Sequence, residues 1–545
     1  MASYRLAIAI LWLLSCCAAQ QNGPNTYTLA GTIVNGVTGS PVPRVLVQLS
    51  DRALLTGPEG EFSFAAVPGG QTQITISKPG FFTPGATTIG WSPPVNVDVG
   101  PGSGKFIFKF LPEAVISGLV TGQDEEPLEG AAIQILNFAS ENGRKRLVRA
   151  TGDARTDEDG KFRIAALPAG RYYVAVKAGN VTRRILGAQS SKGSEAYPGI
   201  VYYPGTQALE GATPLDLAPG QRSQGVQFSL NMEPAFKVAG TVVTTGDWKQ
   251  VNSPAIIDQL EQVLFTADRF DSETGQFEFH AVAAGKYKVQ LGGMDQQGQF
   301  VSSARTFTVS RAIMGLKLAL KPGAEIPIVV RTEFSKPRPA SSCTSFTHGG
   351  EIREFDCSEA ARVDLISSDS LGLRFTSGFG RSKDRGPLAL HNVAPGRYVV
   401  SAAAATLGGY VQSVRSGQVD LLRDELVVPE EGSVPPIEVI VRDDPGTLNV
   451  HLQTQTPDQS GTVLLIPDGL LRDPIIVGRS SANMELHSGP LAPGIYKVFA
   501  FDSLDTLDYR NPEALAKYTS RAASATVSPN GNSSVIVELI RVGEQ

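Results

Sequence analysis

At 545 residues the chain is too long for a single hydrophobic core and should divide into several domains. It is 41% hydrophobic and 19% charged with 57 Gly and 36 Pro, which excludes a disordered or collagen-like chain and predicts globular units rich in turns. A formal net charge of -5 offers no general basic face, so a nucleic-acid binder is excluded as well.

Near the start of the sequence Arg5 precedes the apolar run Leu6–Leu14 (LAIAILWLL) and the small residues Ser15–Ala19. That order of charged, apolar and small segments reads as a secretory signal over residues 1–19. The run is too short to span a bilayer, and no later stretch reaches that length. Two of the four cysteines fall inside it. Leu13-Leu14-Ser15-Cys16 is similar to a bacterial lipobox, which would make Cys16 a lipidated N-terminus. Cys17-Ala18-Ala19 before Gln20 suits ordinary signal peptidase equally, so both outcomes stay open.

From Val67 onward one phrase recurs five times: VPGGQTQI, LPAGRYYV, VAAGKYKV, VAPGRYVV and LAPGIYKV. Its glycines, Gly70, Gly170, Gly285, Gly396 and Gly494, are spaced by 100, 115, 111 and 98 residues, one small domain each. Ten residues before four of them stands another glycine: Gly60, Gly160, Gly275 and Gly386. Each introduces an alternating run, namely EFSF, KFRI, QFEF and PLAL. The fifth copy has Met484 instead but keeps Leu486. In the second copy the acidic turn Thr156–Gly160 suits a hairpin loop whose last residue needs positive φ. Phe162 and Ile164 then share one face of a strand while Lys161 and Arg163 share the other. Leu167–Gly170 stops that strand, and Tyr172 and Val174 lie on one face of the next. A tyrosine two residues past a turn glycine resembles the tyrosine corner of β-sandwiches. Tyr172, Tyr287, Tyr398 and Tyr496 hold this place, and Thr72 holds it in the first copy.

Strands that open each unit include TLAGTIV (Thr28–Val34), VISGLVT (Val115–Thr121) and KVAGTVV (Lys237–Val243). Closing strands include FIFKF (Phe106–Phe110), GVQFSL (Gly225–Leu230), GLKLAL (Gly315–Leu320), IEVIV (Ile437–Val441) and VIVEL (Val535–Leu539). Asn511–Ala523 predicts either one helix or an insertion in the last unit. Short strands with frequent turns predict an all-β chain of about five antiparallel sandwiches, transthyretin-like or Ig-like. Joints fall at Leu111-Pro112, Glu233-Pro234, Lys321-Pro322 and Asp444-Pro445. The expected units are 24–112, 113–233, 234–322, 323–444 and 445–545, in a semi-rigid array.

Gly31–Leu49 with the following GEFSFAAVPGG, and Gly118–Ile135 with the following TDEDGKFRIAALPAGRYYV, resemble carboxypeptidase regulatory-like domains. The third copy resembles them too, while the fourth and fifth keep only the turn phrase and closing strand. The resemblance implies a transthyretin-like sandwich, also grouped with carbohydrate-binding-like folds, in tandem copies as in secreted bacterial proteins. It implies an accessory domain, with no catalytic residues to carry over.

The chemistry-bearing residues are few. His348 and Glu351 match the H-x-x-E pair of a zinc peptidase, with His451 and His487 as nominal third ligands. His348 and Glu351 lie between Cys343 and Cys357, in a loop with no room for a peptidase domain, so no metal is expected. His280 and His391 share one repeat position and read as structural. No G-x-S-x-G, P-loop or paired Cys-x-x-Cys is present. Asp157, Glu158 and Asp159 read as a solvated hairpin tip rather than a calcium loop. Tyr202 and Tyr203, and Phe81 and Phe82, sit beside Gly and Pro as candidate glycan-stacking rings, the alternative being packing between loops or domains. Cys343 and Cys357 survive signal removal and would meet an oxidising compartment, which predicts a disulfide, the alternative being two buried unpaired cysteines.

The sequence therefore predicts a non-enzymatic exported scaffold, adhesion or interaction protein of the bacterial envelope, without cofactor. It would be periplasmic, outer-membrane-associated or extracellular, with a protein or glycan partner. A carbohydrate-binding protein and an accessory chain of a secreted peptidase are the alternatives. The long alternating strands of an outer-membrane barrel are not seen.

Overall fold

The computed structural model describes residues 25–542 except 87–93, 142, 151–153, 179–194, 246–247, 258–262, 297–299, 336–341, 347–351, 357–360, 369–373, 378–380, 383–387, 405–407, 431, 456–458, 469–473 and 482–484. The described chain is almost wholly β. Two compact units emerge. The first holds the described residues up to Gly118 with Phe162–Arg171 and Leu215–Val226, and the second holds the rest.

The first sandwich shows the recurring logic. One sheet orders Glu61–Pro68, Thr26–Asn35, Phe106–Pro112 and Phe81–Phe82; the other orders Arg52–Leu55, Leu46–Leu49, Gly70–Ser77 and Val95–Val99. The alternating residues Phe62 and Phe64 meet Leu29, Ile33, Ile74 and Phe110 in one core between the sheets. Period-2 apolar spacing buries one face of each strand, and that burial is the main favourable term.

The described pairings are antiparallel except for a two-residue parallel pairing of Gly494–Phe501 with Asn532–Ile540 and one recurring arrangement. Opening and closing strands run parallel: Thr26–Asn35 with Phe106–Pro112, Glu233–Thr244 with Ile313–Leu320, Ala324–Glu333 with Ile437–Arg442, and Thr447–Gln453 with Asn532–Ile540. The opener glycines exist for this contact. A Cβ on Gly31 would strike the Phe106 carbonyl and the Phe62 ring, and one on Gly240 would strike the Leu316 carbonyl and the Phe277 ring.

The joints are short and partly absorbed into strands. Phe106–Pro112 is followed after one residue by Ala114–Thr121, whose three-stranded sheet with Lys161–Leu167 and Arg222–Ser229 lies largely in the first unit. Pro234 sits inside the strand Glu233–Thr244 rather than in a linker, and Glu195–Ala196 pairs with that strand's first two residues. Proline is tolerated there because it stands at a strand start. In the last region Ala500 pairs with Leu539 and joins both sheets into one of seven strands. Of Asn511–Ala523 only Pro512–Ala516 is α-helix, capped by the Asn511 side chain accepting from the Glu513 N–H at 3.0 Å. It is a one-turn insertion that seats Leu515 and Tyr518 against Phe499 and Phe501.

Candidate functional site

The repeated phrase is built from a turn and a ring. Gly60, Gly160 and Gly275 have φ of 71°, 71° and 70°, a region that costs most side chains strain. The carbonyls of these three accept from the N–H of Ile33, Val120 and Val242 at 2.9, 2.8 and 2.8 Å. A Cβ there would collide with the carbonyl of that same partner residue in each copy. Gly386 and Met484 lie outside the described residues. The five phrase glycines each begin the next strand: Gly70–Ser77, Gly170–Lys177, Gly285–Asp295, Gly396–Ala404 and Gly494–Phe501.

Two residues on, Tyr172, Tyr287, Tyr398 and Tyr496 are 2%, 8%, 1% and 2% exposed. The hydroxyl of Tyr398 donates to the Ala394 carbonyl at 2.7 Å and that of Tyr496 to the Ala492 carbonyl at 2.6 Å. Each bond pins the ring to the turn four residues before it. Burial pushes the phenols of Tyr172 and Tyr287 up to about 12, with the charge of Glu233 adding to the latter.

A second repeated device was not read from sequence. Thr56 and Thr156 stand four residues before the turn glycine and are buried. The Thr56 hydroxyl accepts from the Val45 N–H at 2.9 Å and donates to the Val42 carbonyl at 3.0 Å. The Thr156 hydroxyl accepts from the Ala131 N–H at 2.9 Å and donates to the Leu128 carbonyl at 2.5 Å. The spacing T-x-x-x-G in both copies was the available signal.

The aromatic stacking reading needs correction. Tyr202 is 1% exposed and packs with Leu136, Leu147 and Ala175, while Phe82 is 6% exposed. Phe81 stacks on Phe110 with centroids 5.4 Å apart, and Tyr203 meets Phe228 edge-on at 5.9 Å. Rings this engaged serve the core, because burying an aromatic gains more than exposing it. Tyr202 and Tyr287 help line a cavity of about 250 Å³ with Ile200, Gln207 and Leu264, below the volume of ordinary small-molecule sites.

The acidic tip is satisfied internally. Asp157 accepts from the N–H of Asp159 at 3.1 Å and of Lys161 at 2.8 Å, and the Lys161 ammonium lies 2.9 Å from Asp159. His280 lies 3.4 Å from Glu278, His391 3.8 Å from Glu325 and His451 3.3 Å from Glu485; His487 meets Asn449 at 2.9 Å. Among the described residues no group of three His, Cys, Asp or Glu side chains could hold a metal. Cys16, His348, Glu351 and Cys357 lie outside the described residues. Cys343 lies in a hairpin strand, in register with Phe355. Among the described residues no helix is long and apolar enough to cross a membrane.

The fold is a series of β-sandwiches whose repeated residues are turn glycines and buried tyrosines. Residues 115–195 match the family model of the carboxypeptidase regulatory-like domain. No curated protein matches the chain. Among solved structures, the Bacillus anthracis TIE protein is similar at 11% identity over 81% of this chain and 79% of that one, with a TM-score of 0.17. A streptococcal ancillary pilin is similar at 12% identity over 54% and 99%, with a TM-score of 0.18. The Streptococcus agalactiae minor pilin GBS52 is similar at 15% identity over 38% and 97%, with a TM-score of 0.21. Scores this low carry no argument about function.

Proposed function

We propose that the chain is an exported, non-enzymatic scaffold or interaction protein of the bacterial envelope. Five sandwich units, 24–112, 113–233, 234–322, 323–444 and 445–545, would set spacing and present surface rather than perform chemistry. One observation carries this reading. The residues the sequence repeats most faithfully are turn glycines and buried tyrosines, so what recurs is a folding device. A partner would be met on loops and sheet faces, with the mature N-terminus free or lipidated at Cys16. A disulfide between Cys343 and Cys357 would add about 3 kcal/mol to the fourth unit, and intact-mass measurement of exported protein with both thiols free excludes it.

Single-molecule stretching of the mature chain tests the proposed array. Successive unfolding events should each release roughly 100 residues, about 340 Å of contour. A single event spanning several hundred residues would overturn the five-unit division. Stoichiometric zinc in the native protein, lost in His348→Ala, would overturn the non-enzymatic reading.

A further inference from the structure

Two features of the fold exceed what a sandwich needs, and they meet. The first is a hairpin arm. Ala132–Glu141 pairs with Gly170–Lys177 only over Ala132–Leu136, yet it pairs with Arg144–Arg149 from Leu136 to Glu141. The far half is a two-stranded ribbon beyond its parent sheet, and such ribbons are marginal alone in water. Its base is held by Leu147 beside Tyr202 and by Phe138 edge-on to Tyr173 at 5.7 Å. The second feature is the insertion after the strand Gly494–Phe501, which carries Asp505, Tyr509 and Arg510 ahead of the short helix.

Near its tip the arm makes two sets of contacts. The Ser140 N–H donates to the Asp505 carbonyl at 2.5 Å, and the Arg510 N–H donates to the Gly143 carbonyl at 2.8 Å. Gly143, at φ 79°, lies so close to the Tyr509 ring and the Arg510 side chain that a Cβ would collide with both. On the other side, the Arg144 guanidinium donates to the Ser368 carbonyl at 3.4 Å and lies 3.8 Å from the Glu425 carboxylate. Glu425 in turn accepts from Ser368 Oγ at 2.6 Å and Arg397 at 2.7 Å. These groups all lie in the second compact unit.

We propose that the arm is an intramolecular latch, tying its parent sandwich to the Ser368–Glu425 region and to the Asp505–Arg510 insertion, and that its release lets these regions move independently. Among the described residues the contact includes two backbone hydrogen bonds, the hydrogen bond from Arg144 to the Ser368 carbonyl, a glycine-sized approach and a partly exposed ion pair, polar contacts of the kind a reversible device would use. A single ion pair as long as 3.8 Å, with side chains 32% and 22% exposed, contributes modestly, so the docked state lies within reach of small changes.

Hydrogen exchange on the full mature chain tests it, read at the Ser140 and Arg510 amides with the Ala132–Leu136 rungs as the folding control. Arg144→Glu removes the ion pair. Gly143→Ala places a methyl where Tyr509 lies, and its positive-φ strain is common to docked and released states, so its effect on exchange reports docking. Each variant should speed exchange at both amides at least tenfold while the rungs stay protected. Free exchange of both amides in the unaltered chain would overturn the proposal, as would unchanged protection in both variants. If Arg144→Glu loosens the rungs, Gly143→Ala decides. Loosened rungs in both variants would also overturn it, because the arm would then have no folded released state.

Discussion

Tyr398 shows how one side chain joins turn to core. Its ring is buried among Leu365, Val400 and Val439 while its hydroxyl reaches back to the Ala394 carbonyl. Tyr398→Phe keeps the ring and loses only the hydrogen bond, so it should cost about 1 kcal/mol, whereas Tyr398→Ala should cost about 3–5 kcal/mol. Tyr202→Ala should fall in the same range, since that ring is as buried as the anchor. Urea denaturation of each variant gives the three values, and a neutral Tyr202→Ala would return that ring to the surface. Glu425 makes a pH prediction. Burial pushes its carboxyl up, but hydrogen bonds from Ser368 and Arg397 with the charges of Arg397 and Arg144 outweigh it and hold it below the usual range. A lowered folded value means that its stabilisation is complete above the unfolded value near 4.3 and is lost as pH falls through the folded one. The stability gap between the unaltered chain and Glu425→Gln should therefore be open at pH 7 and close below about pH 4. A gap that widened on acidification would contradict this.

At the scale of elements, the alternating strands and the turn glycines were legible because each obeys a local rule: period 2 for a half-buried strand, and glycine for positive φ. The bulges were not. Ala66, Ala166 and Asn392 take φ of 54°, 59° and 54°, and the first and fourth opening strands shift register beside them. Alanine gives no sign of positive φ, because here the surrounding sheet imposes it. Tyr202 was misread for the opposite reason. Its Gly- and Pro-rich neighbours signal loop, and nothing local shows that Leu136, Leu147 and Ala175 close over it. The buried threonines were legible as a spacing but not as a bond, since both of their partners lie far along the chain. Thr156→Val keeps the shape and leaves the Ala131 N–H and Leu128 carbonyl without that hydroxyl, which should cost about 2–4 kcal/mol. Thermal or urea unfolding of the chain with and without the substitution measures it. A cost within error of zero would mean that water replaces the hydroxyl.

For the whole molecule, the parallel pairing of opening and closing strands matters most, and no residue pattern announced it. An opener and closer that point the same way bring the chain in at one end of a sandwich and out at the other, which suits a series of units joined by short links. In such a series each unit answers mainly to its neighbours, so damage stays local. Tyr398→Ala should make residues 323–443 sensitive to protease while Gly118–Leu230 stays resistant. The hairpin arm adds one exception, because Arg144 reaches a carbonyl 224 residues away. Loss of the fourth core should therefore also free the Ser140 and Arg510 amides to exchange, without cleavage inside the arm's own sandwich. Fragment masses from brief proteolysis of the full chain separate these outcomes. Cuts confined to 323–443 would fit a row of separate cores, whereas early cuts between Gly118 and Leu230 would mean that the second and fourth cores stand or fall together.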